Sequence, residues 1–217
     1  SDIETQQLKE FDAYIETGAA VFKISNCVIT TANFAFNPRD QFKVAIQGEG
    51  TKLERVGDEN YTIPGSAQSE SSTRTPTLTY PSVTLDSLDM NSILSVTLMI
   101  QSDIQWSPFE TLQESLSVTN SSNAMFPSAY TVSNRVVSGA ITQYQTDSNI
   151  TQFNDFSTNS NLTITAKKGS DNADFWKIQL NPIMYTARME PDEIYTQVYD
   201  FRSTDNTALA TRITQYS

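Results

Sequence analysis

The feature that most constrains the fold is an alternation of apolar and polar residues along several short segments. The clearest segment is Ile93–Ile100, in which Thr97 separates the apolar Val96 and Leu98. A period of two residues is typical of a β-strand with one buried face. Similar criteria predict about nine strands, the main ones being Val21–Ala32, Phe42–Ile46, Leu78–Leu85, Ile93–Ile100, Arg135–Tyr144, Leu162–Lys167, Phe175–Met189 and Glu193–Phe201. The pattern favours a mainly β fold, an antiparallel sandwich or barrel of two sheets.

The period changes once, after Tyr144. Ile150, Phe153 and Phe156 recur at every third residue, and Ser148 or Asn149 offers an N-cap before them. This spacing predicts one flanking α-helix. We expect these three side chains to form the helix face that packs against the sheet.

One long polar segment stands out between predicted strands. Residues Gly48–Pro76 form a run of 29 residues rich in glycine, charge, serine and threonine. Structureless loops longer than about 12–15 residues are uncommon in compact domains. We interpret this run as an assembly loop in which Gly65, Glu70 and Arg74 offer backbone freedom and charge-assisted contacts to a neighbour. The alternative is a surface loop without a task.

The ends of the chain have their own patterns within what we expect to be a single domain over residues 1–217. Leu8, Phe11 and Ile15 have helical spacing, which predicts either a short amphipathic helix over Glu4–Glu16 or a docking arm over residues 1–17. Residues 204–217 form a polar C-terminal tail.

Composition excludes several kinds of chemistry. The chain has no histidine and only one cysteine, Cys27. A Ser-His-Asp triad, a Cys-His pair and a zinc site of thiolates or imidazoles therefore cannot form within one chain. A net charge of −11 argues against tight binding of nucleic acid, which requires Lys and Arg at the phosphates. We expect no enzyme activity, no metal, no cofactor and no membrane span.

Weaker candidate sites all have simpler structural interpretations. Three pairs of neighbouring carboxylates resemble solvated charges on loops. They are Asp58/Glu59, Asp86/Asp89 and Asp192/Glu193. Asp171-Asn172-Ala173-Asp174 lacks the rest of a calcium loop and reads as a turn. A rival function is a carbohydrate-binding or host-attachment β-sandwich, with an aromatic stacking platform formed by Trp106, Phe109, Trp176 and Tyr185.

The segment Leu116–Phe156 carries a resemblance to a known family. It contains an Asn-rich turn at Asn120–Asn123, the strand Val137-Ser138-Gly139-Ala140-Ile141-Thr142 and an acidic turn at Asp147 before the predicted helix. Gly139 within that strand indicates a bulge or a close backbone approach. In this order the features resemble the major tail tube proteins of long-tailed bacteriophages.

The resemblance implies a virion structural protein of the phage tail, assembled in the cytoplasm of the host bacterium. Members of that family form rings, usually hexameric, whose sheets join into an inner β-barrel. A long loop and the chain termini connect stacked rings, and an often electronegative lumen passes the genome. The resemblance also implies a tape measure protein in the lumen and other tail proteins at the tube ends. A duplicated fold would instead build a trimer with pseudo-sixfold symmetry.

Overall fold

The structure is a computed structural model and describes residues 8–65, 78–106, 127, 130–168, 173–191, 195–203 and 213–215. In these ranges the chain is almost entirely β. One short helix, α1, spans Asp147–Ile150, and no helix in the described ranges is long and apolar enough to cross a bilayer. The strands are β1 (Phe11–Glu16), β2 (Val21–Phe36), β3 (Lys43–Glu49), β4 (Lys52–Gly57), β5 (Leu78–Leu85), β6 (Ile93–Trp106), β7 (Tyr130–Tyr144), β8 (Phe156–Lys168), β9 (Ala173–Glu190), β10 (Thr196–Ser203) and β11 (Ile213–Gln215).

The strands are hydrogen-bonded in the order β1-β2-β6-β7-β10-β9-β8-β5. β3 and β4 also pair with β2, and β11 pairs with β9. The β1–β2, β2–β4, β7–β10, β9–β10, β9–β11, β5–β8 and β8–β9 pairs are antiparallel. The predicted mainly β, antiparallel class is confirmed, whereas the strands that the structure describes do not confirm a second sheet.

The chain divides into two compact units. The described part of unit 1 comprises residues 8–31, 46–65, 102–106, 127 and 130–135, and that of unit 2 comprises residues 32–45, 78–101, 136–168, 173–191, 195–203 and 213–215. Each unit is therefore built from several segments that are distant in sequence.

Unit 2 holds the main hydrophobic core, and alternation along its strands supplies the buried side chains. Val96 and Leu98 of β6 are buried, as are Ile178 and Leu180 of β9. Trp176 lies at the centre of an aromatic group, with its ring centroid 5.3–6.2 Å from those of Phe34, Phe36 and Phe42. The period-two pattern correctly identified the core face of these strands.

The region after Tyr144 differs from the predicted helix. The capping box between Thr146 and Asn149 begins α1, but the helix ends at Ile150. The following residues include Thr, Asn and Asp, which have low helix propensity. Phe153 lies beyond the helix and packs on Tyr199 at 6.3 Å, while Phe156 is the first residue of β8 and is half exposed. Ile150, Phe153 and Phe156 therefore do not share one helix face.

The N-terminal segment is a strand where a helix was one of two expectations. β1 pairs with β2 from Phe11↔Cys27 to Glu16↔Val21. The same apolar residues fit a period of two, because Phe11, Ala13 and Ile15 are alternate residues. A helix this short is marginal in water without tertiary contacts. As a strand, the same segment gains backbone hydrogen bonds to β2.

The predicted loop over Gly48–Pro76 begins with secondary structure. Gly48 ends in β3, and Lys52–Gly57 forms β4, which pairs with β2. The charges of Lys52, Glu54 and Arg55 hid this strand from the hydrophobic pattern, although charged residues are common on edge strands. Residues 66–76 of the predicted loop lie outside the described residues.

The predicted C-terminal tail also contains a strand. β11 pairs with β9 in the register Ile213↔Ile178 and Gln215↔Trp176. Ile213 is partly buried against the core. The turn predicted at Asn120–Asn123 lies outside the described residues.

Gly139 allows β6 and β7 to approach closely, as the sequence predicted. A Cβ added at Gly139 would overlap the carbonyl oxygen of Thr97 and lie 2.7 Å from Cζ of Phe201. The backbone amide of Ala140 donates to Oγ1 of Thr97 over 3.2 Å. Only glycine fits this contact without a shift of backbone.

Candidate assembly surface

The predicted loop residues are only partly described. Gly65 has a φ of 110°, a conformation that favours glycine, and an added Cβ there would meet nothing within 4 Å. Glu70 and Arg74 lie outside the described residues. The proposed contacts of this loop therefore remain a prediction.

The aromatic stacking platform does not form. Trp176 is 7% exposed and Tyr185 is 2% exposed, so both rings belong to the core. Trp106 packs edge-on against Tyr130 at 5.3 Å and donates to Oε2 of Glu49 over 3.1 Å. Phe109 lies outside the described residues. The aromatic basis for a carbohydrate-binding module is therefore wrong for Trp176 and Tyr185.

Three of the described carboxylate candidates, Asp58, Asp86 and Asp174, have structural partners. Oδ1 of Asp86 accepts hydrogen bonds from the backbone and side chain of Asn161 over 2.8 and 3.3 Å. Oδ1 of Asp58 accepts from the amide of Asn60 over 3.0 Å. Asp174 forms an ion pair with Lys167 over 3.9 Å. A search of the described residues finds no cluster of side chains that could hold a metal ion. Asp192, Glu193, Asp171 and Asn172 lie outside them.

The feature that sequence analysis missed is an exposed apolar surface in unit 1. Two cross-strand rows of β1, β2 and β4 build it, because directly paired residues of antiparallel strands lie on the same face. One row is Ala13–Ile24–Leu53, and the next is Ile15–Phe22–Arg55. We name these six residues the apolar face.

The apolar side chains of this face are unusually accessible. Leu53 is 64% exposed and Ile15 is 48% exposed, while Phe22 and Ile24 are partly buried. Isolated exposed apolar residues are ordinary, but a contiguous apolar patch on a folded protein marks an interaction site. The apolar face therefore is a candidate contact surface.

The other face of the same three strands is charged and internally paired. Lys23 Nζ lies 2.8 Å from Oδ2 of Asp12, and Lys52 forms an ion pair with Glu54. The hydrogen bond from Lys23 lowers the pKa of the Asp12 carboxyl, and the same contact raises the pKa of Lys23. One face of the three strands thus carries two ion pairs, whereas the apolar face exposes hydrocarbon.

The arrangement of these strands suits association by side-chain contact and strand pairing. Among the described strands, β4 pairs with β2 alone, so its other edge has backbone groups to which a further strand can hydrogen-bond. An added strand satisfies such groups by hydrogen bonding, and side chains on alternate positions give specificity. The period-two spacing of Phe11, Ala13 and Ile15 was the one sequence signal for this surface.

The chain is similar to a known family of proteins. The sequence model described as the Bacteriophage Baseplate Tube Protein Family matches residues 4–213. No curated protein matches the chain.

Proposed function

The chain belongs to the bacteriophage baseplate tube protein family, and we propose that it assembles with copies of itself into rings that stack as part of the tail tube. Membership in the family makes it a structural tube protein of the phage virion. Because the family is described as a baseplate tube family, we propose that the chain is part of a baseplate tube. A major subunit of the tail tube is the more specific alternative. Rings of six copies, or of three with internal duplication, remain the expected stoichiometries.

The observation that carries the proposal is the apolar face of unit 1. Leu53 and Ile15 expose hydrocarbon on a three-stranded surface whose opposite face carries two ion pairs. Burial of apolar area gives association its main driving force, at roughly 25 cal/mol per Å² removed from water. Within the described part of the chain β4 pairs with β2 alone, and its other edge supplies hydrogen-bonding groups beside this surface.

Assembly can be tested by substitution of one exposed residue. We expect wild-type protein to form rings or tubes in negative-stain images and large species in sedimentation velocity. Leu53→Lys should remain a monomer, because it places an ammonium group in the contact. Met184→Lys in unit 2 is the matched control, since Met184 is also exposed but belongs to β9 and not to the apolar face. Normal assembly of Leu53→Lys would contradict the proposal.

The loop after β4 is proposed as a second contact, between stacked rings. Replacement of residues 65–75 by a short Gly-Ser linker should leave circular dichroism unchanged, because few apolar residues are removed. We expect the variant to form single rings but no tubes. Tubes of normal length would show that this segment has no role in stacking.

The proposal includes four further points about the tube. DNA passes through it, a tape measure protein lies inside it, other tail proteins bind at its ends, and it is assembled in the bacterial cytoplasm. A chain with a net charge of −11 cannot neutralise many phosphates, which suits a conduit through which DNA slides. We expect weak binding of a fluorescent DNA duplex at physiological salt. Tight binding that weakens steeply with salt would contradict this expectation.

A further inference from the structure

A second exposed apolar cluster lies in unit 2, where β7, β9 and β10 reach the same end. Thr196, the first residue of β10, is paired with Tyr144 of β7 and Glu190 of β9. The amide of Gln145 donates to the carbonyl oxygen of Tyr195 over 2.9 Å, so Tyr195 lies beside the end of β7.

Helix α1 is held at the same end. Nδ2 of Asn149 donates to the carbonyl oxygen of Tyr144 over 2.7 Å. Four large apolar side chains near this end are exposed, and we name them the strand-end patch: Tyr144, Ile150, Met189 and Tyr195. Tyr195 is the most accessible, at 58% exposure. Tyr144 and Met189 lie on opposite faces of the strands, so the patch wraps around the end.

The charged residues near the strand-end patch are mainly acidic. Asp147 in α1 and Asp155 before β8 are exposed. Glu190 follows Met189 and pairs with Arg188 over 2.9 Å. Arg188 also pairs with Asp200, so two carboxylates neutralise this cation. A partner for the patch therefore needs an apolar centre and an exposed positive charge.

The apolar face of unit 1 has that chemistry. Arg55 ends the row Ile15–Phe22–Arg55, is exposed, and donates to the carbonyl oxygen of Gly57 over 3.3 Å. No ion pair of Arg55 with a carboxylate is present among the described residues. A guanidinium at the margin of an apolar surface is common at protein interfaces, where Arg is enriched.

We propose that the strand-end patch of one copy docks on the apolar face of the next copy, with Arg55 facing the carboxylates of Asp147 and Glu190. The inference rests on the proposed function and names the partner of its contact surface. Because two different surfaces meet, the contact is heterologous, and repetition of it closes a ring or extends a filament. Docking of the strand-end patch on itself would instead bring acidic groups together without a counter-charge.

The test uses two variants of the full chain, each with one surface blocked. Leu53→Lys blocks the apolar face and leaves the strand-end patch intact, whereas Tyr195→Asp does the reverse. Both residues are more than half exposed, so both variants should keep the wild-type circular dichroism. Each alone should associate at least about 30-fold more weakly than wild type.

A mixture of the two blocked variants gives the decisive result. Only one heterologous contact can form between them, so we expect a 1:1 dimer in sedimentation velocity and no rings. A mixture that remains monomeric while wild type forms rings would overturn the heterologous contact and leave the proposed function standing. Failure of the wild type to form rings or tubes at any concentration would overturn both.

Charge reversal tests the role of Arg55 separately. Arg55→Glu should weaken assembly, and Asp147→Lys in the same chain should restore it in part, since that pairing is then reversed. Asp40→Lys is the control, because Asp40 is an exposed acid in unit 2 that is paired locally with Lys43. Equal rescue by Asp40→Lys would show that net charge alone matters and would overturn the proposed pairing.

Discussion

Replacement of Gly139 by alanine tests the close approach of β6 and β7 in unit 2. The added methyl group would overlap the carbonyl oxygen of Thr97, lie 3.0 Å from its carbonyl carbon and lie 2.7 Å from Cζ of Phe201. The Thr97 atoms belong to the backbone of a central strand, so they cannot rotate away as the end of a flexible side chain would.

The expected magnitude follows from two opposing effects. Overpacking of a core typically costs about 1–3 kcal/mol, and a backbone contact places this case at the upper end. Alanine also restricts the unfolded chain, which returns about 0.4–1 kcal/mol. The net loss in unfolding free energy is about 2–3 kcal/mol, which lowers the Tm of a chain of this length by about 4–12 °C.

Thermal unfolding followed by circular dichroism and urea titration measures this loss. Gly18→Ala is the matched control, because a Cβ at Gly18 would meet nothing within 4 Å and its φ is not in the left-handed region. We expect the control to be neutral or slightly stabilised. A Gly139→Ala variant that melts within about 1 °C of Gly18→Ala would refute the reasoning.

Three further predictions concern packing and ionisation. Phe153→Ala should lower the unfolding free energy by about 1–3 kcal/mol in a urea titration, because its partly buried ring packs on Tyr199. Phe156 is half exposed, so Phe156→Ala should lower it by less. Equal losses for the two variants would contradict this packing. Burial raises the pKa of Tyr199 to about 12, above the value of about 10 for an unfolded chain, so its contribution disappears as the pH rises between these values. Melting from pH 8 to 12 should then show a shallower alkaline loss for Tyr199→Phe than for wild type, and parallel curves would argue against it. Lys23 lowers the pKa of Asp12, so Asp12→Asn should be less stable than wild type at pH 7. The Tm difference should vanish near pH 2, where the carboxyl of Asp12 is protonated. A Tm difference that persists at pH 2 would contradict the ion pair.

Sequence analysis succeeded where a pattern indicated burial. Val96, Leu98, Ile178 and Leu180 alternate with polar residues because the interior of unit 2 lies on one side of their strands. Gly139 was identified because a glycine inside a strand usually marks a bulge or a place where another backbone comes close.

Sequence analysis failed where a strand has no alternation of buried apolar and exposed polar side chains. β4 exposes Leu53 and carries three charges, so its hydrophobic pattern is weak and its structure depends on hydrogen bonding to β2. Spacing indicates only the β1 part of the apolar face, because the rows of that face join residues from three separate strands. The predicted helix is too long because Ile150, Phe153 and Phe156 match a period of three. In the structure they lie in a helix, in a connecting segment and in a strand, respectively.

The interleaved course of the chain through the two units has a consequence for synthesis. The strands that build the apolar face end at Gly57, whereas Tyr195 of the strand-end patch is translated 138 residues later. At 5–20 residues per second this interval lasts roughly 7–28 s. A nascent chain therefore carries the apolar face well before the strand-end patch has been made. Under the proposed docking, neighbouring chains on one messenger RNA have both surfaces of the contact only as each chain nears completion.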